Sequence, residues 1–281
     1  MKKFPRKDRK HKPSHGPARN QNPQHGRNQE SHGQHHGSQR AQAGDERRKP
    51  RFSREVGTLY EDDAVIVVDK PAGLLSVPIV GSDVASALSV LQDALREKKQ
   101  RPLVVHRIDR FASGILLFAK TNHMREQLVE QFLEHTPVRE YLAVVRGRLK
   151  EEEGTLVHHF KREGMFQQLR SSGDPTATRA ELRYTVERVF ADATLVRVEL
   201  VTGLQNQIRA QFAAIGHPLV GDRKYHRQEE AETLINRVAL HAAHLEFVHP
   251  RTGEPVAIDC RPPKDFQELV RELGKPSRAR R

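Results

Sequence analysis

The sequence predicts an α+β fold, a mixed and largely antiparallel sheet with helices at its periphery. Two observations carry this. Short runs rich in β-branched residues recur between Thr58 and Cys260, and two of them, 179–190 and 193–202, are separated only by a tight turn at Ala191 and Asp192, which makes them antiparallel neighbours. Helical spacing of apolar residues, by contrast, is confined to a few isolated segments.

The first fifty of the 281 residues cannot join a core. They hold thirteen Lys or Arg, six His and four acids, with Phe4 the sole aromatic, too little apolar surface to offset the entropy of ordering. Residues 1–51 therefore read as a disordered basic tail, 52–274 as the folded domain and 275–281 as a short basic C-terminal tail. The first fifty residues carry +9 of the chain's formal +12, which points to a polyanionic partner. His32, His35 and His36 stand close together there, but in a Gly/Gln context they read as solvated polar filler, and no metal is expected. Cys260 is the single cysteine, which excludes a disulfide framework and a multi-cysteine zinc site and fits a reducing cytoplasm. No apolar run reaches membrane-spanning length and the N-terminus has no signal-peptide core. An Arg-rich organelle presequence is the rival reading of the tail, but its Gly, Pro, Gln and acidic residues spoil a helical amphipathic face.

Order is expected from about Val56: a short strand, an acidic turn at Asp62 and Asp63, a strand through Val65 to Val68, and a turn at Pro71 and Gly73. Val84, Leu88, Leu91 and Leu95, behind a Ser-Asp cap, predict a helix over 82–98. A second helix should begin at Asn122, capped by Thr121 or Asn122, with Met124, Leu128 and Phe132 on one face. Strands are expected at 138–147 and 154–159 as well as in the hairpin at 179–202. Ile208, Phe212 and Ile215 then form a helical stripe that stops at Gly216, with Arg209 on the opposite side, free to reach into a cleft. Strands around 240–247 and 256–260 and a short helix close the chain.

Within this frame residues 102–120, PLVVHRIDRFASGILLFAK, stand apart. Two apolar runs flank a charged bend, so the bend is where chemistry or binding belongs. Asp109 lies there between Arg107 and Arg110, a carboxylate placed to act as nucleophile or base, or to cap a turn and pair with surface arginines.

HRIDRFASGILLFAK resembles the HRLDRxTSGxLLxAK signature of the RluA family of RNA pseudouridine synthases, with Ala112 where the family usually has Thr. Further resemblances run from Thr58 to Phe266: IVVDKPAGL at 66–74, VREYLAVVRG at 138–147, VTGLQNQIRAQFAAIGHPLVGDRKY at 201–225, and LHAAHLEFVHPRTGE at 240–254. Two departures stand out. Arg139 replaces a lysine, and Leu204, Gln205 and Asn206 replace Arg-Thr-His. No S4 RNA-binding module is expected ahead of the domain.

The resemblance implies that Asp109 is the catalytic aspartate, Tyr141 lies against the target base, Arg209 pairs with and orients the aspartate, and Arg107 enters the base stack when the nucleotide is extruded. His106 and Arg110 belong by the same resemblance to RNA binding and base flipping, and Leu240 to a wall of the uracil pocket. The implied reaction moves uracil from an N1 to a C5 linkage, which needs no redox or energy donor, so no cofactor is expected. The implied partner is structured RNA, ribosomal or transfer, with no membrane, acted on by a monomer in the cytoplasm. Rival chemistries fail on pattern: there is no P-loop or GxGxxG, no DFG to make HRIDR a kinase loop, and no P-C-x-x-C of a deaminase. The remaining alternative is a non-catalytic RNA-binding or chaperone-like protein on the same fold.

Overall fold

The computed structural model describes residues 55–226 and 235–276. The expected N-terminal tail, its histidines and residues 277–281 lie outside them. The described residues all belong to one compact unit, and its strands are Gly57–Glu61 (β1), Val65–Lys70 (β2), Leu103–Val104 (β3), Ser113–Ala119 (β4), Val138–Arg146 (β5), Glu153–Glu163 (β6), Phe166–Arg170 (β7), Thr178–Val189 (β8), Ala193–Leu200 (β9), Leu240–Val248 (β10) and Pro255–Asp259 (β11). They form one eleven-stranded sheet in the order β1-β2-β4-β10-β5-β9-β8-β6-β7, with β3 beside β4 and β11 beside β10. This is the mixed, largely antiparallel sheet expected.

The one parallel pairing among the described strands joins its two halves, β4 to β10, where Ser113 and Gly114 meet His241 and Ala242. Gly114 has φ 106°, and a Cβ there would lie 2.1 Å from the Ala242 carbonyl oxygen, so only glycine lets the strands close at this point. β4 is buried at every position, as a strand covered on both faces must be. Ile115 and Leu117 pack on one side with Val65, Val67 and Leu128. Leu116 and Phe118 pack on the other with Ile66, Val68 and Leu91.

Among the described residues four helices lie against this sheet: Ala87–Ala94 (α1), Asn122–Glu134 (α2), Gln207–Ala214 (α3) and Lys264–Leu273 (α4). α1 is shorter than the pattern predicts. Ser86, not the Ser-Asp pair upstream, caps it, in a reciprocal box with Ser89, and Val84 stays outside the helix and exposed. The reason is a bridge between Leu75 and Ser86, which keeps the chain extended until the cap. α2 begins behind Thr121 as expected. α3 corrects the amphipathic reading: Gln207 to Phe212 are all buried, so Arg209 reaches its partners inside the protein. The short strand β7, in a polar segment without alternation, is absent from the sequence reading. No helix among the described residues is long and apolar enough to cross a membrane.

Candidate active site

The HRIDR bend connects β3 to β4 and is held by the segment that follows β2. Lys70, fully buried, donates from Nζ to the carbonyls of Pro71 and Leu74 (both 2.9 Å), Arg110 (3.2 Å) and Ala112 (2.8 Å). Burial pulls its pKa down to about 7, with the Asp109 charge opposing that fall, and the ring of carbonyls favours its ammonium form. Ser76 Oγ donates to the Ile108 carbonyl and accepts from the Ile108 amide, and the Gly73 amide donates to the Arg110 carbonyl at 2.8 Å. Backbone groups on both sides of Asp109 are thus fixed, and its side chain turns toward α3.

There it meets Arg209, whose Nη1 lies 3.3 Å from Asp109 Oδ2. The rest of the guanidinium is committed elsewhere. Nε and Nη2 donate to the two oxygens of Asp222 at 2.8 and 2.7 Å, and Nη1 also donates to Asn206 Oδ1 at 2.9 Å. Asp222 Oδ1 further accepts from the amides of Lys224 and Tyr225. Burial opposes the charge of Arg209, but the Asp222 bonds outweigh it and hold its pKa above the usual value. Asn206, in the left-handed region at φ 57°, uses its amide to brace Arg209 and reach the Met165 carbonyl instead of capping α3. This is what stands where the resemblance expects a histidine.

Two cavities border this pair. One, about 450 Å³, is lined by Asp109, Arg209, Tyr141, Ile208, Arg139 and Leu240. The other, about 810 Å³, is lined by Asp109, Arg107, Arg110, Phe111, Phe166 and Lys224, among others. Tyr141 comes from β5, between Ala242 of β10 and Val198 of β9, and burial pushes its hydroxyl up to about 12, so it is a neutral phenol. Arg107 lines both cavities, is exposed, and makes no hydrogen bond or ion pair with the described residues. Arg110 spends Nε on the Gly73 carbonyl at 3.0 Å and lies over the Phe111 ring.

His106 lines the smaller cavity and is held from within the fold. Its Nε2 accepts the Leu117 amide at 3.1 Å, and its ring stacks on Phe132. Burial, helped by the Arg139 charge, lowers its pKa to about 3, so it is a neutral ring. Asp222 and Lys70 are site residues that the sequence did not single out, and Asn206 stood out there only as a departure from the family pattern. The GDRKY and VVDKPAGL strings were the only signals, and neither says what the charged residue touches. No cluster of metal-ligating side chains occurs among the described residues.

Residues 64–214 match the family model described as RNA pseudouridylate synthase, and the chain belongs to that family. It is 37% identical to the uncharacterized RNA pseudouridine synthase YlyB of Bacillus subtilis, over 77% of this chain and 72% of that protein. It is 36% identical to the ribosomal large subunit pseudouridine synthase C of Escherichia coli, over 76% and 69%. It is 33% identical to the ribosomal large subunit pseudouridine synthase D of Zymomonas mobilis, over 76% and 72%. Among solved structures, human RNA pseudouridylate synthase domain containing 4 shares the fold at a TM-score of 0.65, with 21% identity over 77% of this chain and 92% of that one. The activity is isomerisation of uridine in RNA, and the comparisons give the non-catalytic alternative no support.

Proposed function

We propose that this chain converts a uridine of large-subunit ribosomal RNA to pseudouridine, with Asp109 acting on the nucleotide, Arg209 holding Asp109, Tyr141 and Leu240 bordering the uracil, and Arg107 filling the stack the base has left. The observation that carries the reading is the contact of Arg209 Nη1 with Asp109 Oδ2 at 3.3 Å, at the wall of a cavity that Tyr141 and Leu240 also line. Two of the relatives are named for the ribosomal large subunit, which favours that RNA over transfer RNA. The protein works as a cytoplasmic monomer in this reading.

Reaching C1′ in structured RNA means extruding the nucleotide, at a cost of a few kcal/mol in lost stacking. A planar guanidinium replaces a base well, and Arg107 is free to do so. The cations and aromatic rings around the larger cavity suit the strand on either side of the extruded nucleotide. Once the uridine is in place, Asp109 attacks C1′, adds to the pyrimidine ring, or removes the 2′ proton. Of the two carboxylates at the site Asp222 is committed to Arg209, which leaves Asp109 for this work, not the pair that hydrolysis of a glycosidic bond employs.

Asp109→Asn preserves size and removes the charge. Single-turnover isomerisation on a transcript of large-subunit ribosomal RNA should fall by about 10²-fold or more, with RNA affinity within a few fold of wild type. A rate above about one per cent of wild type would remove Asp109 from the chemistry. Mapping pseudouridines in ribosomal and transfer RNA from cells with and without the gene decides the substrate.

A further inference from the structure

Three arginines are buried among the described residues: Arg139, Arg209 and Arg237. Two are neutralised in place. Arg209 has Asp222 and Asp109, and Arg237 has Asp265 at 2.6 Å. Arg139 has no carboxylate within ion-pair distance among the described residues, although it is only 7% exposed. Its Nη2 donates to the carbonyls of Leu200 at 3.1 Å and Val201 at 3.4 Å, while its Nε is buried without a hydrogen-bond partner. Gly203 is the companion of this arrangement, since a Cβ there would stand 2.8 Å from Arg139 Nη1. Phe132 carries the guanidinium on its face, 5.8 Å from the ring centre.

An isolated buried charge is expensive, and a merely structural position would use an apolar side chain or supply an acid. Arg139 keeps its cation in the wall of the cavity that holds Asp109. It lies two residues before Tyr141 on β5, so the two side chains leave the strand on the same face. The cavity therefore has a paired end, Asp109 with Arg209, and a cationic wall without a counter-charge.

The reaction supplies that counter-charge by every route open to Asp109. If the carboxylate attacks C1′ or takes the 2′ proton, the C1′–N1 bonding pair leaves with N1 and spreads onto the uracil carbonyl oxygens. If it adds to C6, the C5–C6 double-bond pair moves through C4 onto O4 as an enolate. In the C6 route the C1′–N1 pair then also leaves with N1. Rejoining uses the C5 pair to close on C1′: the Asp109–C1′ ester bond breaks in the first route, Asp109 returns its proton to C2′ in the second, and in the third the Asp109–C6 bond breaks as the C5 proton leaves and the C5–C6 double bond is restored. C5 then gives up its proton and N1 gains one, so no oxidant or reductant is involved. We propose that Arg139 is a further catalytic residue, donating to a carbonyl oxygen of the extruded uracil and holding the negative charge that the ring acquires as it is released. Such donors work because they are fixed before the charge appears and water is excluded. The proposal rests on the reading that the uridine reacts in the cavity at Asp109.

The test measures single-turnover consumption of the target nucleotide, at saturating enzyme, for wild type, R139Q, R139K and D109N. The substrates are large-subunit ribosomal RNA transcripts made with uridine or with 5-fluorouridine. Fluorine at C5 helps the ring carry negative charge, so a residue that serves this charge matters less. R139Q should be slower than wild type on uridine by about 10²-fold, R139K should recover part of the loss, and the R139Q deficit should shrink at least about five-fold on 5-fluorouridine. An equal deficit on both substrates would mean that Arg139 only supports the fold. R139Q within about two-fold of wild type while D109N is inactive would overturn this inference alone, whereas an active D109N would overturn the site itself. If R139Q does not fold, the same comparison between R139K and wild type decides.

Discussion

Arg209 gives Asp222 two short hydrogen bonds, at 2.8 and 2.7 Å, and gives Asp109 a single longer one at 3.3 Å. The arginine is thus neutralised and oriented by a carboxylate that is itself fully buried, while Asp109 is steered without being locked. Asp222→Asn should therefore act at a distance. An amide cannot accept from both Nε and Nη2 through two oxygens, so the guanidinium loses its seat and Asp109 its guide. Single-turnover isomerisation should fall by about 10-fold or more with RNA affinity little changed. Stability should fall by roughly 3–5 kcal/mol, the range for breaking a buried ion pair. An unchanged rate in a folded variant would show that Asp222 does not position the site.

Lys70 plays the matching part for the backbone. Its four carbonyl acceptors belong to Pro71, Leu74, Arg110 and Ala112, so one ammonium ties the turn after β2 to the loop that carries Asp109. Lys70→Met fills the volume but strands these acceptors, at about 1–3 kcal/mol for each that finds no other partner. Urea unfolding should show a loss of about 3 kcal/mol or more. A variant within about 1 kcal/mol of wild type would mean that the loop holds its shape without the ammonium.

What the sequence disclosed and what it withheld follow from the range of the forces involved. β4 and α2 were legible because an unbroken apolar run and a Thr cap are local. Asp109 and Tyr141 were legible because the motif around each is contiguous. α3 was misjudged because its polar face is buried by β6, β7 and the 222–225 turn, contacts between residues far apart in the chain. The same distance hid Asp222, whose partner Arg209 lies 13 positions away, and Lys70, two of whose four acceptors, the Arg110 and Ala112 carbonyls, lie 40 and 42 away. Arg139 was visible only as a departure from a family pattern, and its missing counter-charge became apparent only once its neighbours were in place. The bond that His106 Nε2 accepts from the Leu117 amide, 11 positions on, was equally out of reach of the sequence.

The N-terminal residues make a separate claim that rests on charge alone. Residues 1–50 carry +9, and if four of their cations neutralise phosphates the log-log salt slope of RNA binding should change by about three on single-stranded segments. Removing residues 1–51 should weaken binding most at low salt and leave the saturated single-turnover rate unchanged. Binding over a salt series, with parallel kinetics, checks both halves. Identical slopes would exclude the segment from RNA binding, and a lost rate would give it a part in the active site.

His106 predicts a pH dependence whose sign can be worked out. Burial first, and the Arg139 charge second, lower its pKa in the folded protein to about 3, against about 6.5 when the chain is unfolded. Between these values the unfolded chain binds a proton that the folded one refuses, so stability rises with pH across the window. The contribution is complete above about 6.5 and is lost as pH falls toward 3, with a slope of up to about 1.4 kcal/mol per pH unit from this group. His106→Gln removes the titration and leaves an amide oxygen to accept from Leu117. Urea unfolding of wild type and H106Q between pH 7 and about pH 4 should give curves that diverge on acidification, the wild type losing more. Parallel curves would mean that His106 takes up its proton in the folded state. It would then be cationic at the edge of the cavity.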